Sequence, residues 1–246
     1  MSGHSKWSQI KRKKGVTDQK RGQIFTKIGR MITLASREGG ADPESNFKLR
    51  LAIQKAKEVN MSKDGIDRAI KKGTGKLEGL KIEQISYEAS GPAKTALIIE
   101  AVTDNRNRTT SEIRNVLVRH GARMAESGSF SWLFQQKGII HVSGSGEEAE
   151  LKIIDAEPLD FQEEDGEIVV YTKPNELFNI RTKLEEKGLE ILLAELSLEP
   201  KETLKITDKK IAKSILKLVE ELESSDDITI VYSNFDIDEK LMEEIV

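Results

Sequence analysis

Apolar residues recur with a helical period up to about residue 80 of this 246-residue chain and with a strand-like period beyond it. One part must therefore pack helix on helix, and the rest must bury the faces of sheets. Over 18–37, Ile24, Ile28, Met31, Ile32 and Ala35 form one apolar stripe, and Gly39-Gly40 ends the helix they predict. A second helix is predicted over 45–59, with Leu49, Ala52, Ile53 and Ala56 facing a core. A third, over 62–72, turns Ile66, Ala69 and Ile70 inward before Gly73 stops it. Beyond Leu80, residues 82–89 and 95–103 alternate as strands around the turn Ser90-Gly91-Pro92. Thr109-x-x-Glu112 reads as a capping box opening a helix that buries Ile113, Val116 and Leu117, and 129–134 reads as another strand. From Gly138 the order is strand 139–142, helix 147–155, strands 159–163 and 168–172, helix 175–187 and strand 191–198, a ferredoxin-like βαββαβ signature.

After Pro200 only a helix, 208–223, and a strand, 228–232, are predicted, too few to bury a core of their own. The sheet piece that begins at residue 82 lacks cover, so the two should complete each other. The expected fold is α+β in three domains. They are an N-terminal basic three-helix bundle (1–80), a discontinuous α+β domain (81–135 with 202–246) and an inserted ferredoxin-like α+β domain (136–201).

Charge is divided along the same line. The formal net charge is −3, yet residues 1–80 hold 19 Lys and Arg against 8 Asp and Glu, a balance of +11, and the remainder holds −14. So one-sided an excess creates a local positive potential that attracts phosphates. The expected partner is DNA or RNA, including the ribosome, with the acidic domains left for protein partners. In the tail, Lys6, Lys11, Arg12, Lys13 and Lys14 supply charge beside Trp7, a ring able to stack on a base, and Lys20 and Arg21 carry the charge into the first helix. On that helix Lys27, Arg30 and Arg37 form a strip away from the apolar stripe, and Arg68, Lys71 and Lys72 face outward on the third. The charges of the second helix flank its stripe and can snorkel around the core edge. Gly22 and Gly29, on one side of the first helix with Thr26 and Thr33, suit close helix packing. The loop Thr103–Thr109 brings Arg106 and Arg108 to a helix N-terminus. It reads equally as an anion contact or as a turn bonded to itself, with Asp104 offsetting the arginines.

Catalytic constellations are missing from the sequence. Without cysteine there is no disulfide or thiolate zinc site, and His4, His120 and His141 lack metal-ligand spacing. Lys72-Gly73-Thr74-Gly75-Lys76 lacks the spacing of a phosphate-binding loop and reads as a linker, and Glu163-Glu164-Asp165 reads as a solvated turn. A non-enzymatic protein is expected, with no catalytic residue, cofactor, metal or small-molecule substrate. No apolar run nears the roughly 20 residues of a membrane span, and the first residues lack a signal-peptide core, so no membrane partner and a cytoplasmic location are expected.

Several of these residues fall in longer motifs. Gly3-His4-Ser5-Lys6-Trp7 with Ile10-Lys11, the stretch from Asn46 through Leu49-Arg50, Ala52-Ile53 and Ala56-Lys57 to Asn60-Met61, the run Arg68–Gly73, and Thr103-Asp104-Asn105 with Asn107-Arg108-Thr109 closely resemble the YebC/PmpR family. The resemblance extends over essentially the whole chain. It implies a helical N-terminal domain followed by two α+β domains. It also implies a probable transcriptional regulator that binds DNA, and relatives of that family, a mitochondrial translational activator among them, act on translating ribosomes. The chain departs from the pattern at Ala89–Lys94, which keeps one glycine of a GYGPGG-like turn, and at Ser62, where the family has proline.

Overall fold

The structure, a computed structural model, describes residues 18–77, 82–164 and 166–245. Its elements run α1 (Asp18–Gly39), α2 (Phe47–Glu58), α3 (Lys63–Gly73), β1 (Glu83–Ser90), β2 (Ala96–Thr103), α4 (Arg106–Arg119) and β3 (Arg123–Ala125). They continue as β4 (Phe134–Ser143), α5 (Glu147–Ile154), β5 (Asp160–Glu164), β6 (Glu167–Thr172), α6 (Leu177–Glu186) and β7 (Ile191–Pro200). The chain closes with β8 (Leu204–Ile206), α7 (Lys209–Glu223), β9 (Ile228–Ser233), β10 (Phe235–Ile237) and α8 (Glu239–Glu243). Two compact units result. One comprises the described residues up to Leu133 and from Glu202 onward, the other Phe134–Lys201.

In the first unit, α1, α2 and α3 close over Ile28, Ile32, Leu49, Ala52, Ala56, Ile66 and Ala69. Buried Asn46 joins two of the helices. Its side-chain oxygen caps α2 by accepting from the Leu49 N–H at 3.1 Å, while its amide donates to the carbonyls of Ala35 and Gly40, each at 2.8 Å. Ser62 caps α3 in the same manner through the Gly65 N–H. The glycine that close packing requires is Gly73. A Cβ there would stand 2.3 Å from the Thr33 carbonyl oxygen, whereas at Gly29 the nearest atom would be 3.9 Å away and at Gly22 none lies within 4 Å. The sequence pattern on α1 thus pointed to the wrong partner of that crossing.

The same unit holds an antiparallel sheet in the order β3-β1-β2-β9. Strand β9, at the far end of the chain, pairs with β2 with Ile98 opposite Tyr232. Helices α4 and α7 cover one face, closing a core that includes Leu97, Ile99, Ile113, Leu117, Leu218 and Val231. On α7, Ala212, Ile215, Leu216, Val219 and Leu222 repeat at helical spacing and none exceeds 4% exposure. Each such Leu or Ile is worth about 1.5–3 kcal/mol on burial. Strands β8 and β10 form a separate parallel pair.

Local readings differ at three places. Helix α4 starts at Arg106 with Asn105 as its cap, accepting from the Arg108 N–H, so Thr109 is an interior, buried residue and not the cap. The expected strand at 129–134 is a loop with a 3-10 turn over Ser131–Leu133, and β4 begins only at Phe134. Strands β3, β8 and β10 were not foreseen because three residues are too few to show alternation.

In the second unit the sheet order is β5-β6-β4-β7 with every pair antiparallel, the arrangement of a ferredoxin-like βαββαβ domain. Gly138 on β4 lets α6 approach, since a Cβ there would lie 2.9 Å from that of Leu177.

Candidate nucleic-acid interface

Helix α3 has the simplest surface in the molecule. Its start is fixed by Ser62, and Ile66 and Ala69 take the inward face. The 3.6-residue period then leaves Arg68, Lys71 and Lys72 exposed. None of the three forms an ion pair among the described residues. Arg68 and Lys72 also line a groove of about 500 Å³ between α1 and α3, whose floor includes Thr26, Gly29, Met61 and Gly65. Arg37, in the last turn of α1, is exposed and without an ion pair among the described residues. Lys57, Lys63 and Lys76 are exposed as well, though nothing in their sequence spacing singles them out.

The strip expected on α1 does not lie open along its length. Lys27 donates to the Glu223 carbonyl at 2.5 Å, and Gln23 donates to that of Ser224 at 3.3 Å. Both carbonyls sit at the end of α7, where they have no partner within the helix and where the helix dipole favours a cation. Arg30 donates to the carbonyls of Val102 and Asp226, each at 3.1 Å, and pairs with the Asp227 carboxylate. Two of the three strip residues therefore fasten α1 to the corner between α7 and β9.

Asp227 gathers most of the loop residues too. It is 3% exposed and accepts from Arg108 at 2.8 Å, Thr103 at 3.0 Å and Thr109 at 2.6 Å besides Arg30. Burial works against its charge. The hydrogen bonds from Arg108, Thr109, Arg30 and Thr103 outweigh that penalty and hold its pKa well below the usual carboxylate range. Arg108 also pairs with Asp104 at 2.7 Å, and bonding to Asp227 and Asp104 raises its own pKa above the ordinary value. The loop thus acts as a clamp. Only Arg106 of its two arginines is exposed without an ion pair among the described residues. A cleft of about 610 Å³ beside the clamp is lined by Arg30, Arg108, Arg119, Glu221, Asp226 and Asp227. Its cations are already matched, since Arg119 and His120 both meet Glu221.

The tail residues Lys6, Trp7, Lys11, Arg12, Lys13 and Lys14, and the side chain of Lys20, lie outside the described residues; Arg21 is exposed on α1. The sequence reading missed Asp227 altogether. Its side-chain partners stand 118 to 197 positions away, so no local pattern signals it.

Residues 5–76 match the TACO1/YebC protein N-terminal domain, and 82–235 match the TACO1/YebC second and third domain. The chain belongs to the TACO1/YebC family. It is 48% identical over 250 residues to a "Probable transcriptional regulatory protein" of Halothermothrix orenii, covering 100% of this chain and 99% of the relative. A protein of the same description from Persephonella marina is 47% identical over 249 residues, with 100% of both covered. Among solved structures, a conserved hypothetical protein of Aquifex aeolicus, Aq1575, superposes with a TM-score of 0.84 at 42% identity, covering 90% of this chain and 93% of that one. Within this TACO1/YebC chain, Arg68, Lys71 and Lys72 fall in the N-terminal match and the Asp227 clamp in the other. Where the family resemblance calls for glycines, Ala93 and Lys94 take φ of 55° and 63°. That left-handed conformation costs a residue with a Cβ about 1–2 kcal/mol.

Proposed function

We propose that this chain is a non-enzymatic regulatory protein that binds DNA and acts in transcription, holding phosphates on the outer face of α3. The carrying observation is that Arg68, Lys71 and Lys72 stand exposed on one short helix without an ion pair among the described residues. Cations not engaged within the protein are the ones able to exchange bound counterions for phosphates. Arg37, Arg106 and the tail cations Lys6, Lys11, Arg12, Lys13 and Lys14 extend the contact, with Trp7 beside them. The balance of +11 over residues 1–80 and the description shared by the relatives support the reading. Contacts of this kind position a protein on a duplex without reading its bases, so sequence discrimination is weak.

The test is the affinity of the full chain for duplex DNA and for structured RNA across a salt series, with sedimentation from lysate after DNase or RNase treatment. Tighter binding to the duplex and DNase-sensitive retention are expected. RNase-sensitive co-migration with ribosomes would overturn the transcriptional reading in favour of a translation factor on ribosomal RNA.

A further inference from the structure

A large aromatic side chain rarely stays in water unless something meets it, and Trp132 is 64% exposed. The loop that carries it is held from beneath by a buried carboxylate. Glu88, on β1 and 6% exposed, accepts from the backbone N–H groups of Gly128 at 2.7 Å, Phe130 at 2.5 Å and Ser131 at 3.2 Å. Charge-assisted bonds to three nearby amides fix the path of the loop. Gly128 meets the required turn with φ of 89°. The indole is oriented as well, since its N–H donates to the Ser129 carbonyl at 2.9 Å. Trp132 is thus a positioned ring presented to solvent.

Its surroundings select the partner. β3 lies against β1 with Ala125 opposite Glu88 and Arg123 opposite Ser90. Alternation along a strand sends the side chains of Glu88, Ser90, Arg123 and Ala125 to one face of the sheet, the face from which the Glu88 carboxylate holds the loop. Arg123 is exposed, as is Lys94 in the turn that follows Ser90, and neither forms an ion pair among the described residues. Glu126 is the one acid between Gly121 and Leu133. A fixed indole face beside two cations has the composition of a stacking platform for an unpaired base with its backbone phosphates nearby.

We infer that Trp132, with Arg123 and Lys94 beside it, binds single-stranded nucleic acid by stacking on an unpaired base, a second contact separate from the α3 face. This rests on the nucleic-acid reading above and adds to it that part of the bound polymer is unpaired.

The test uses the full chain and fluorescein-labelled 12-mers of adenine ribonucleotides and deoxyribonucleotides, alongside a duplex DNA. Trp132→Ala should weaken binding to the single strands about tenfold, within the range for loss of one base–aromatic stack. Duplex affinity and the salt dependence should stay as in wild type, because stacking releases no counterions, and Trp132→Phe should retain most of the affinity. Loss on both 12-mers assigns a general stacking site, and loss on one identifies the polymer it serves. In a Trp7→Phe background Trp132 is the sole tryptophan, and its fluorescence should be quenched by the single strands. Wild-type affinity of Trp132→Ala for both 12-mers, with the duplex still bound, overturns this inference alone and leaves Trp132 to a protein surface. Failure of wild type to bind any of the three polymers overturns both readings.

Discussion

Lys27 and Arg30 on α1 and Arg68, Lys71 and Lys72 on α3 are the same kind of residue, at helical spacing, in the same basic stretch of chain. On α1 they turn toward the end of α7 and Asp227, completing a helix terminus and a buried carboxylate. On α3 they meet solvent. The difference lies in what the fold brings opposite each helix, and it separates cations that hold the protein together from cations available to a phosphate. A charge count over residues 1–80 adds the two groups together.

The largest expected effect is on the first group. Asp227→Ala leaves Arg30 and Arg108 facing a site without a counter-charge and strands two threonine hydroxyls, which should lower stability by about 3–5 kcal/mol, the usual cost of breaking a buried pair. Urea unfolding followed by circular dichroism measures it, and a decrease below about 0.5 kcal/mol, the scatter of neutral surface changes, would dissolve the distinction.

Acid should act on the same group. Asp227 has a folded pKa depressed below its unfolded value, so its contribution is fully present above about pH 4, where the unfolded carboxylate is ionised, and is lost as pH falls through the folded pKa. Unfolding free energy should therefore decline below pH 4 in wild type and decline less steeply in Asp227→Asn. Parallel pH profiles would contradict the role given to the carboxylate. The smallest stability effect belongs to the second group: Arg68→Ala, Lys71→Ala and Lys72→Ala together should change stability by no more than a few tenths of a kcal/mol per site.

The sequence carried the helices, most strands and the βαββαβ order because apolar period reports which face is buried wherever an element spans several repeats. Arg68, Lys71 and Lys72 were legible for the same reason, being opposite a clear apolar stripe. Lys27 and Arg30 also stand opposite a stripe, yet what covers them comes from the turn before β9, about 196 positions later. The Thr103–Thr109 loop was readable as polar and helix-opening, and its self-bonded alternative captured Asp104 with Arg108. What lay beyond reach was Asp227, a single acid among many. Glu88 was similarly hidden, since only the return of the chain through residues 128–131 shows what its carboxylate holds.

The central claim is that the α3 face, and not the α1 strip, holds phosphates. Its most direct test is the slope of log affinity against log salt for duplex DNA, measured on wild type, on the Arg68→Ala, Lys71→Ala, Lys72→Ala triple variant, and on Lys27→Ala, Arg30→Ala under conditions where that variant is folded. The triple variant should flatten the slope by about 0.9 for each phosphate no longer neutralised, up to three phosphates, while the α1 double variant keeps the wild-type slope. A flattened slope in the double variant with an unchanged one in the triple would contradict the account.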